Sequence, residues 1–174
     1  MTKIDPLLKF SLFSINIGIP KKVAYGSSSF MVSAIKKKSV SGAIFLRNEG
    51  LEGDGWADLR FHGGVDKSVC AYSKQHYCYW EQELSKSLLP GAFGENFTLT
   101  NVDETTIFLG DIYRSGDVEI QVSQPRIPCH KLNKVFGRKK TKNNLSISNI
   151  EKWHTKKEQV AQEMEESQKA NDWE

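Results

Sequence analysis

The sequence predicts a mainly β fold with a few helices, arranged as a closed or nearly closed β-barrel. Three observations support this fold class: short segments in which apolar and polar residues alternate, glycine turns between those segments, and a single clear amphipathic helix before residue 124. Closure into a barrel is favoured because many short strands in a small chain otherwise leave edges that pair with other chains.

The first predicted strand covers residues 10–19, where Phe13, Ile15 and Ile17 occupy alternate positions before Pro20 ends the pattern. The two strands nearest residue 124 form a hairpin, because a Ser-Gly-Asp sequence between them is a turn sequence. After the first strand, the predicted strands are 30–36, 40–46, 69–72, 93–99, 105–109, 111–114 and 118–122.

The helix is predicted over residues 74–84, with the Ser73 hydroxyl as its N-terminal cap. Tyr77, Trp80 and Leu84 are spaced by three and four residues, so they share one face of this helix. We interpret that face as packing against the core.

Length and composition indicate one globular domain with its own core. The net charge of +3 suits an anionic small ligand but is too weak to indicate nucleic-acid binding. Three cysteines, an odd number, and no recognisable secretory signal indicate a reducing compartment, so we expect a cytoplasmic protein. No apolar run approaches the roughly 18 residues that span a bilayer, and we expect no membrane association.

The character of the sequence changes after Gly137. We expect a β-barrel domain over residues 1–137 and a polar tail over residues 138–174, helical or partly disordered, because the tail is rich in Glu, Lys and Gln. Basic residues cluster around this boundary, but a solvated surface is favoured over a nucleic-acid site because only Phe136 is interleaved with them. The cluster consists of Lys131, Lys134, Arg138, Lys139, Lys140 and Lys142.

Cys129 ends a segment in which Pro125 and Pro128 stiffen the backbone on either side of Arg126. A thiol and a guanidinium on one short rigid segment suit a soft metal ligand beside an anion clamp. From this segment alone, a buried apolar cysteine in a proline loop is an equal alternative.

His62 precedes two glycines, Gly63 and Gly64, whose adjacent N–H groups can form a concave anion site. A turn that carries a surface histidine is the favoured interpretation when this segment is taken alone. Asp54 and Asp58 lie in a glycine-rich loop, where their carboxylates could act as general acids or simply keep the loop soluble. We favour the second interpretation.

Five motifs follow one another along the chain, and the last is long and specific. Together they resemble the MOSC domain (molybdenum cofactor sulfurase C-terminal domain) superfamily, and within it the stand-alone bacterial YiiM-like proteins, from about residue 10 to residue 137. The motifs are Gly53-Asp54 with Ala57-Asp58, His62-Gly63-Gly64, Phe93-Gly94-Glu95-Asn96, Leu109-Gly110-Asp111-Ile112-Tyr113-Arg114, and residues 121–133, Gln-Val-Ser-Gln-Pro-Arg-Ile-Pro-Cys-His-Lys-Leu-Asn.

The resemblance implies a MOSC-type β-barrel that binds the molybdenum cofactor, a pterin dithiolene that carries a phosphate. It implies that Cys129 ligates molybdenum and acts in catalysis with Arg126 and His62. The cofactor-binding residues that it implies are Lys37, His62, Gly63, Gly64, Lys67, Glu95, Asn96, Arg126 and Asn133.

The resemblance further implies an oxidoreductase that reduces N-hydroxylated compounds such as N-hydroxylated purines. No flavin, haem or iron–sulfur motif is present in the sequence, so we expect an external electron-donor protein. The alternative is a module without redox turnover, which holds the cofactor or carries sulfur as a persulfide on Cys129. The Thr-Gly-aromatic segment that follows the cysteine motif in the family is not found here, and an open barrel edge would favour a homodimer.

Overall fold

The computed structural model describes residues 11–25, 27–60, 62–102, 107–115, 117–126 and 130–137. The chain divides into two compact units, one of Met1–Gln124 with His130–Lys139 and one of Pro125–Cys129 with Lys140–Glu174. All elements below belong to the first unit. In the second unit the structure describes Pro125, which is half-buried, and Arg126, which is exposed. The predicted tail, residues 138–174, lies outside the described residues.

The central element of the first unit is a four-stranded sheet in the order β4-β1-β8-β7. β1 runs antiparallel to both neighbours, with Ile15 opposite Val40 on β4 and opposite Phe97 on β8. β7 and β8 are parallel. The strands are β1 Ser11–Ile17, β4 Lys38–Val40, β7 Ala71–Ser73 and β8 Phe97–Thr100.

The described residues also form three antiparallel hairpins, two of them between strands of this sheet in the sequence and one after its last strand. They consist of β2 Lys21–Tyr25 with β3 Ser29–Ser33, β5 Leu46–Arg47 with β6 Gly50–Leu51, and β9 Ile112–Ser115 with β10 Val118–Gln121. The mainly β prediction is therefore confirmed. The described residues contain no closed barrel, and barrel closure stays a prediction.

Helix α1 spans Gln75–Leu84 and confirms the predicted helix to within one residue. The N-cap residue is Lys74 and not the predicted Ser73, and the Lys74 side chain makes no capping hydrogen bond. The Ser73 hydroxyl nevertheless accepts a hydrogen bond from the Gln75 N–H at 3.3 Å, just before the helix. A 3₁₀ turn, Val65–Lys67, and a second helix, α2 His130–Val135, complete the described helices. Neither described α-helix is long and apolar enough to cross a membrane.

The core lies on one face of the sheet, where alternate residues of β1 and β8 are apolar. A second cluster surrounds Phe93, whose ring lies 5.4 Å from that of Tyr77 and 5.5 Å from that of Phe136. The predicted core role of Tyr77 and Trp80 is confirmed, since both are buried. The main cluster contains the buried Leu51, Phe97, Leu99 and Val102, packed against Ile15, Ile17, Ile44, Leu46, Val69, Ile107 and Ile120.

Three predicted strands are shorter than expected, for local reasons. The strand predicted at 40–46 ends at Val40 because the chain turns at Gly42, whose φ is +88°. The strand predicted at 93–99 begins only at Phe97, because the preceding residues form a turn around a buried carboxylate. For the strand predicted at 105–109, residues 107–109 do not form a strand, and residues 105–106 lie outside the described residues.

The strand predicted at 30–36 is displaced, and its partner was missed. The observed strand is Ser29–Ser33, and it pairs with Lys21–Tyr25, a segment that the sequence analysis did not assign to a strand. Only Val23 of that partner strand is buried, so its hydrophobic pattern is weak.

Replacement of Leu99 by alanine tests the core. Leu99 is buried in the main cluster, so Leu99→Ala should lower the free energy of unfolding by about 2–5 kcal/mol. Leu89→Ala is the matched control because Leu89 is 79% exposed, and it should change stability by less than about 0.5 kcal/mol. Urea unfolding of both variants measures the difference, and equal losses would contradict the placement of the core.

Candidate functional site

A buried carboxylate joins three loops beside the sheet. Asp54 Oδ1 accepts hydrogen bonds from the Gly18 N–H at 2.7 Å and from the Lys37 ammonium, and Oδ2 accepts one from Asn96 Nδ2 at 2.8 Å. The Asp54 side chain is 0% exposed. The interpretation of Asp54 as a loop-solubility residue is therefore wrong, because its charge is enclosed and fully partnered.

Lys37 lies almost completely buried in this arrangement, with its ammonium paired to Asp54. Removal of either partner would leave an uncompensated charge in the interior, which is far more costly than the loss of a surface pair. The role of Lys37 in cofactor binding that the resemblance implies stays a prediction. The structure shows the lysine as one half of an internal ion pair.

Asn96 continues the network from Asp54 into the sheet. Its Oδ1 accepts a hydrogen bond from the Cys70 N–H at 3.1 Å, and its Nδ2 donates to the Asn16 carbonyl at 3.2 Å. The Asn16 side chain donates in turn to Thr98 Oγ1 at 3.0 Å. Asn96 therefore links β1, β8 and the segment that leads into β7, and almost none of its surface reaches solvent.

Glu95 ends the network, and it is 0% exposed. Its Oε1 accepts hydrogen bonds from the Tyr77 hydroxyl, from the Gly91 N–H at 2.8 Å and from Thr98 Oγ1 at 2.9 Å. Its Oε2 accepts one from the Phe93 N–H at 3.0 Å. Burial, followed by the Glu95 charge, raises the pKa of Tyr77 far above its ordinary value. Glu95 thus shapes the turn before β8 from the inside.

The loop that carries His62 is shaped by an aromatic side chain. Gly63 has a φ of +84°, and a Cβ there would lie 2.7 Å from the Trp56 indole. Gly64 has a φ of +85°, but its surroundings are open. Both glycines have positive φ, so they do not alternate between right- and left-handed backbone as an anion-binding nest does. Gly63 accommodates Trp56, whereas Gly64 presents open backbone.

Asp58 precedes this loop and fixes its start. Its carboxylate accepts hydrogen bonds from Arg60 Nε at 2.9 Å and Arg60 Nη2 at 2.8 Å, and its carbonyl accepts one from the His62 N–H at 3.0 Å. The hydrogen bond from the Arg60 side chain is the main reason that the pKa of Asp58 falls to about 2, and the charge of Lys131 contributes. Asp58 therefore stays ionised and helps to hold the His62 loop.

The residues before the proline–cysteine motif lie against the end of the same loop. Ser123 Oγ donates to the Asp66 carbonyl at 2.6 Å, and Gln124 Nε2 donates to it at 3.3 Å. Lys67, the next residue, is exposed in the 3₁₀ turn. The structure thus brings His62, Gly64 and Lys67 into one loop and attaches residues 123–124 to it.

The remaining predicted site residues have other positions. Asn133 lies half-buried on α2, and Arg126 is exposed in the second unit. Cys129 lies outside the described residues, so its predicted role as a metal ligand stays a prediction.

Sequence analysis missed two members of the buried network. Asn16 occupies the position between Ile15 and Ile17 that a half-exposed strand turns to solvent, yet it is completely buried. Asp54 stands between two glycines, which is a signal for tight backbone approach as well as for a loop. That signal was present in the sequence but did not distinguish a buried carboxylate from an exposed one.

Replacement of Tyr77 by phenylalanine tests the link between Tyr77 and Glu95. Loss of a hydrogen bond to a charged group should cost about 1.5–3 kcal/mol at neutral pH. The pKa of Tyr77 is raised in the folded state. Its neutral hydroxyl therefore contributes fully to the free energy of unfolding below the ordinary tyrosine pKa of 10.0, and this contribution is lost as the pH rises above that value. Tyr77→Phe should therefore lose less stability above pH 10.0 than the wild type.

Urea unfolding across the alkaline range measures this difference. Tyr79→Phe is the matched control, because Tyr79 is an exposed residue of the same helix. Parallel pH curves for wild type and Tyr77→Phe would show that Tyr77 does not titrate differently in the two states.

Replacement of Gly63 by alanine tests the packing of Trp56. Gly42→Ala is the control because Gly42 has a similar φ of +88° with open space around it, so it experiences the backbone strain alone. Gly63→Ala should cost about 1–3 kcal/mol more than Gly42→Ala in thermal or urea unfolding, since the methyl group overlaps the indole. Equal costs would mean that Trp56 moves away freely.

Several known proteins are similar to this chain in sequence. YflK of Bacillus subtilis (strain 168), an uncharacterized protein, is 43% identical over 129 residues, which cover 74% of this chain and 58% of YflK. YiiM of Escherichia coli (strain K12) is 45% identical over 107 residues, covering 60% and 48%. A protein named Reductase from Gibberella moniliformis is 38% identical over 129 residues, covering 72% of this chain and 22% of that protein.

The crystal structure of YiiM from Geobacillus stearothermophilus superposes with a TM-score of 0.55 at 35% identity, over 74% of this chain and 57% of that one. The chain thus spans about half the length of YflK and of the YiiM proteins that it matches. The MOSC domain family matches residues 58–166, which include the His62 loop, the turn before β8 and the proline–cysteine motif. This chain therefore belongs to the MOSC domain family and is a YiiM-like member of it.

Proposed function

We propose that this chain is a molybdenum-cofactor-dependent oxidoreductase that reduces N-hydroxylated compounds, N-hydroxylated purines among them. Its membership of the MOSC domain family carries the proposal, because the domain takes its name from molybdenum cofactor sulfurase. The relative named Reductase supports a reductive activity. When bound, the cofactor would supply two-electron redox chemistry at its metal.

The described residues fit the anionic part of such a cofactor. Gly64 presents open backbone, and Lys67 follows it with an exposed ammonium in the same loop. A phosphate binds to such a combination of backbone and lysine by hydrogen bonds and charge. We assign the phosphate to Gly64 and Lys67, and we retain Lys37 as a further residue of the proposed cofactor site.

We assign the metal end to Cys129 and Arg126. A thiolate is a soft ligand that suits molybdenum, and a neighbouring guanidinium favours the thiolate over the thiol. The chain that leads into this segment is held at Gln124 by the Asp66 carbonyl.

In this proposal the buried residues of the predicted site act by holding its loops in place. Glu95 and Asn96 form the turn before β8, and Asn133 lies on α2 just after the cysteine. The His62 imidazole is the proton donor, since histidine changes charge in the neutral range. The overall reaction is R–NH–OH with two electrons and two protons giving R–NH₂ and water. We assign the electrons to an external donor protein.

The architecture in this proposal is a MOSC-type barrel over residues 1–137, with residues 138–174 as a further polar segment. The edges of the four-stranded sheet, β4 and β7, are where barrel closure or pairing between two copies would occur. We place the reaction in the cytoplasm, where a reducing environment keeps Cys129 from forming a disulfide.

The test is the metal content of the full chain purified from a host that makes the cofactor. Wild type should carry molybdenum and pterin, and Cys129→Ala should lose about tenfold or more of both because a ligand is removed. Cys78→Ala is the matched control, since Cys78 is an exposed thiol on α1. Elemental analysis and pterin fluorescence measure the loss, and reduction of an N-hydroxylated purine with reduced methyl viologen measures activity.

Equal molybdenum in wild type and Cys129→Ala would remove Cys129 from the ligand role. A loaded protein that never reduces the purine but carries labile sulfur on Cys129 would instead indicate the sulfur-carrier function.

A further inference from the structure

Positive charge is segregated along this chain. Residues 6–48 and 120–150 contain no aspartate or glutamate, yet together they hold fourteen of the 24 lysines and arginines. The acidic residues lie almost entirely between and after these two segments. Such segregation produces a one-signed surface only where the fold brings the two segments together.

The fold does bring them together at helix α2 and the β2–β3 hairpin. Lys131 Nζ on α2 donates to the Val32 carbonyl on β3 at 3.3 Å. Lys134 Nζ lies 4.4 Å from the centre of the Tyr25 ring on β2 and 3.4 Å from its hydroxyl. Helix α2 from one acid-free segment and the β2–β3 hairpin from the other are therefore in contact through two lysine side chains.

The hairpin turns a mixed apolar and basic surface outward. Lys22 pairs with Val32, and Ala24 pairs with Phe30, so these four side chains share one face. Phe30 is 54% exposed and Val32 is 60% exposed, while Lys22 Nζ lies 4.3 Å from the centre of the Phe30 ring. We call these four residues, together with Lys131, the basic hairpin face.

We propose that the basic hairpin face is the docking surface for an acidic electron-donor protein. This inference rests on the proposed function, which requires two external electrons for each turnover. An interface of exposed apolar residues within a positive rim fits a partner with a negative rim, because such complementarity speeds encounter and fixes orientation.

The interaction of Lys131 with the loop that carries His62 supports this role. Lys131 is only two residues after Cys129 in the chain, and its charge contributes to the lowered pKa of Asp58, at the start of the His62 loop. Lys131 thus connects the basic hairpin face to Asp58, whose carbonyl accepts a hydrogen bond from the His62 N–H.

Two features favour a protein over single-stranded nucleic acid as the partner. Nucleic-acid surfaces use open aromatic rings on which bases stack. Here the Phe30 and Tyr25 rings are each approached by a lysine ammonium, from Lys22 and Lys134. The aliphatic Val32 also offers nothing to a base or a phosphate.

The experiment uses the full chain and an acidic flavodoxin, a small FMN protein, as the probe. Isothermal titration should show binding at low salt that weakens as salt is added. Lys22→Glu should weaken it about tenfold or more by like-charge repulsion, and Phe30→Ser should weaken it without changing the salt dependence. Lys86→Glu is the matched control, because it makes the same charge change in the loop after α1 and should bind as wild type does.

Three results would overturn the inference: no flavodoxin binding at low salt, equal binding by wild type and Lys22→Glu, or displacement of flavodoxin by oligothymidine that binds more tightly. The last result would assign the face to nucleic acid. Failure of the proposed function gives a different result from failure of the docking surface. In that case methyl viologen drives no reduction of the substrate, while flavodoxin still binds. Viologen-driven reduction without flavodoxin binding would instead contradict the docking surface alone.

Discussion

A continuous buried network of charged and amide groups organises the first unit. It runs from the Lys37–Asp54 pair through Asn96 and Asn16 to Thr98 and Glu95. Each buried oxygen of the two carboxylates has at least one donor, which is the condition under which charge is tolerated inside a protein. The sheet consequently has two different interiors: an apolar one on the side of Phe97 and a hydrogen-bonded one on the side of Thr98.

This network explains why the loops of the unit keep defined shapes despite few regular elements. Asp54 joins the turn after β1 to the loop after β3, and Glu95 binds two backbone N–H groups of the turn before β8. Buried hydrogen bonds of this kind specify one arrangement of backbone, because any alternative leaves a donor or a carboxylate oxygen unsatisfied. The His62 loop is held differently, by the fit of Gly63 against Trp56.

The motif residues therefore fall into a buried group and an exposed group. Glu95 and Asn96 act from inside, since their side chains have almost no exposed surface, whereas Gly64 and Lys67 face outward in a loop that also receives Ser123. A rigid interior that supports exposed loops is the usual basis for precise binding sites.

The sequence by itself determined the mainly β class, β1, helix α1 and the hairpin of β9 and β10, because those depend on local periodicity and turn residues. It also contained the motifs that identify the family. Only the tertiary structure decided that Asp54 is an internal ion partner, that Asn16 is buried and that β2 exists. A carboxylate between two glycines and an asparagine in a strand have the same local pattern whether they face solvent or a partner eighty residues away, and long-range packing alone distinguishes the two.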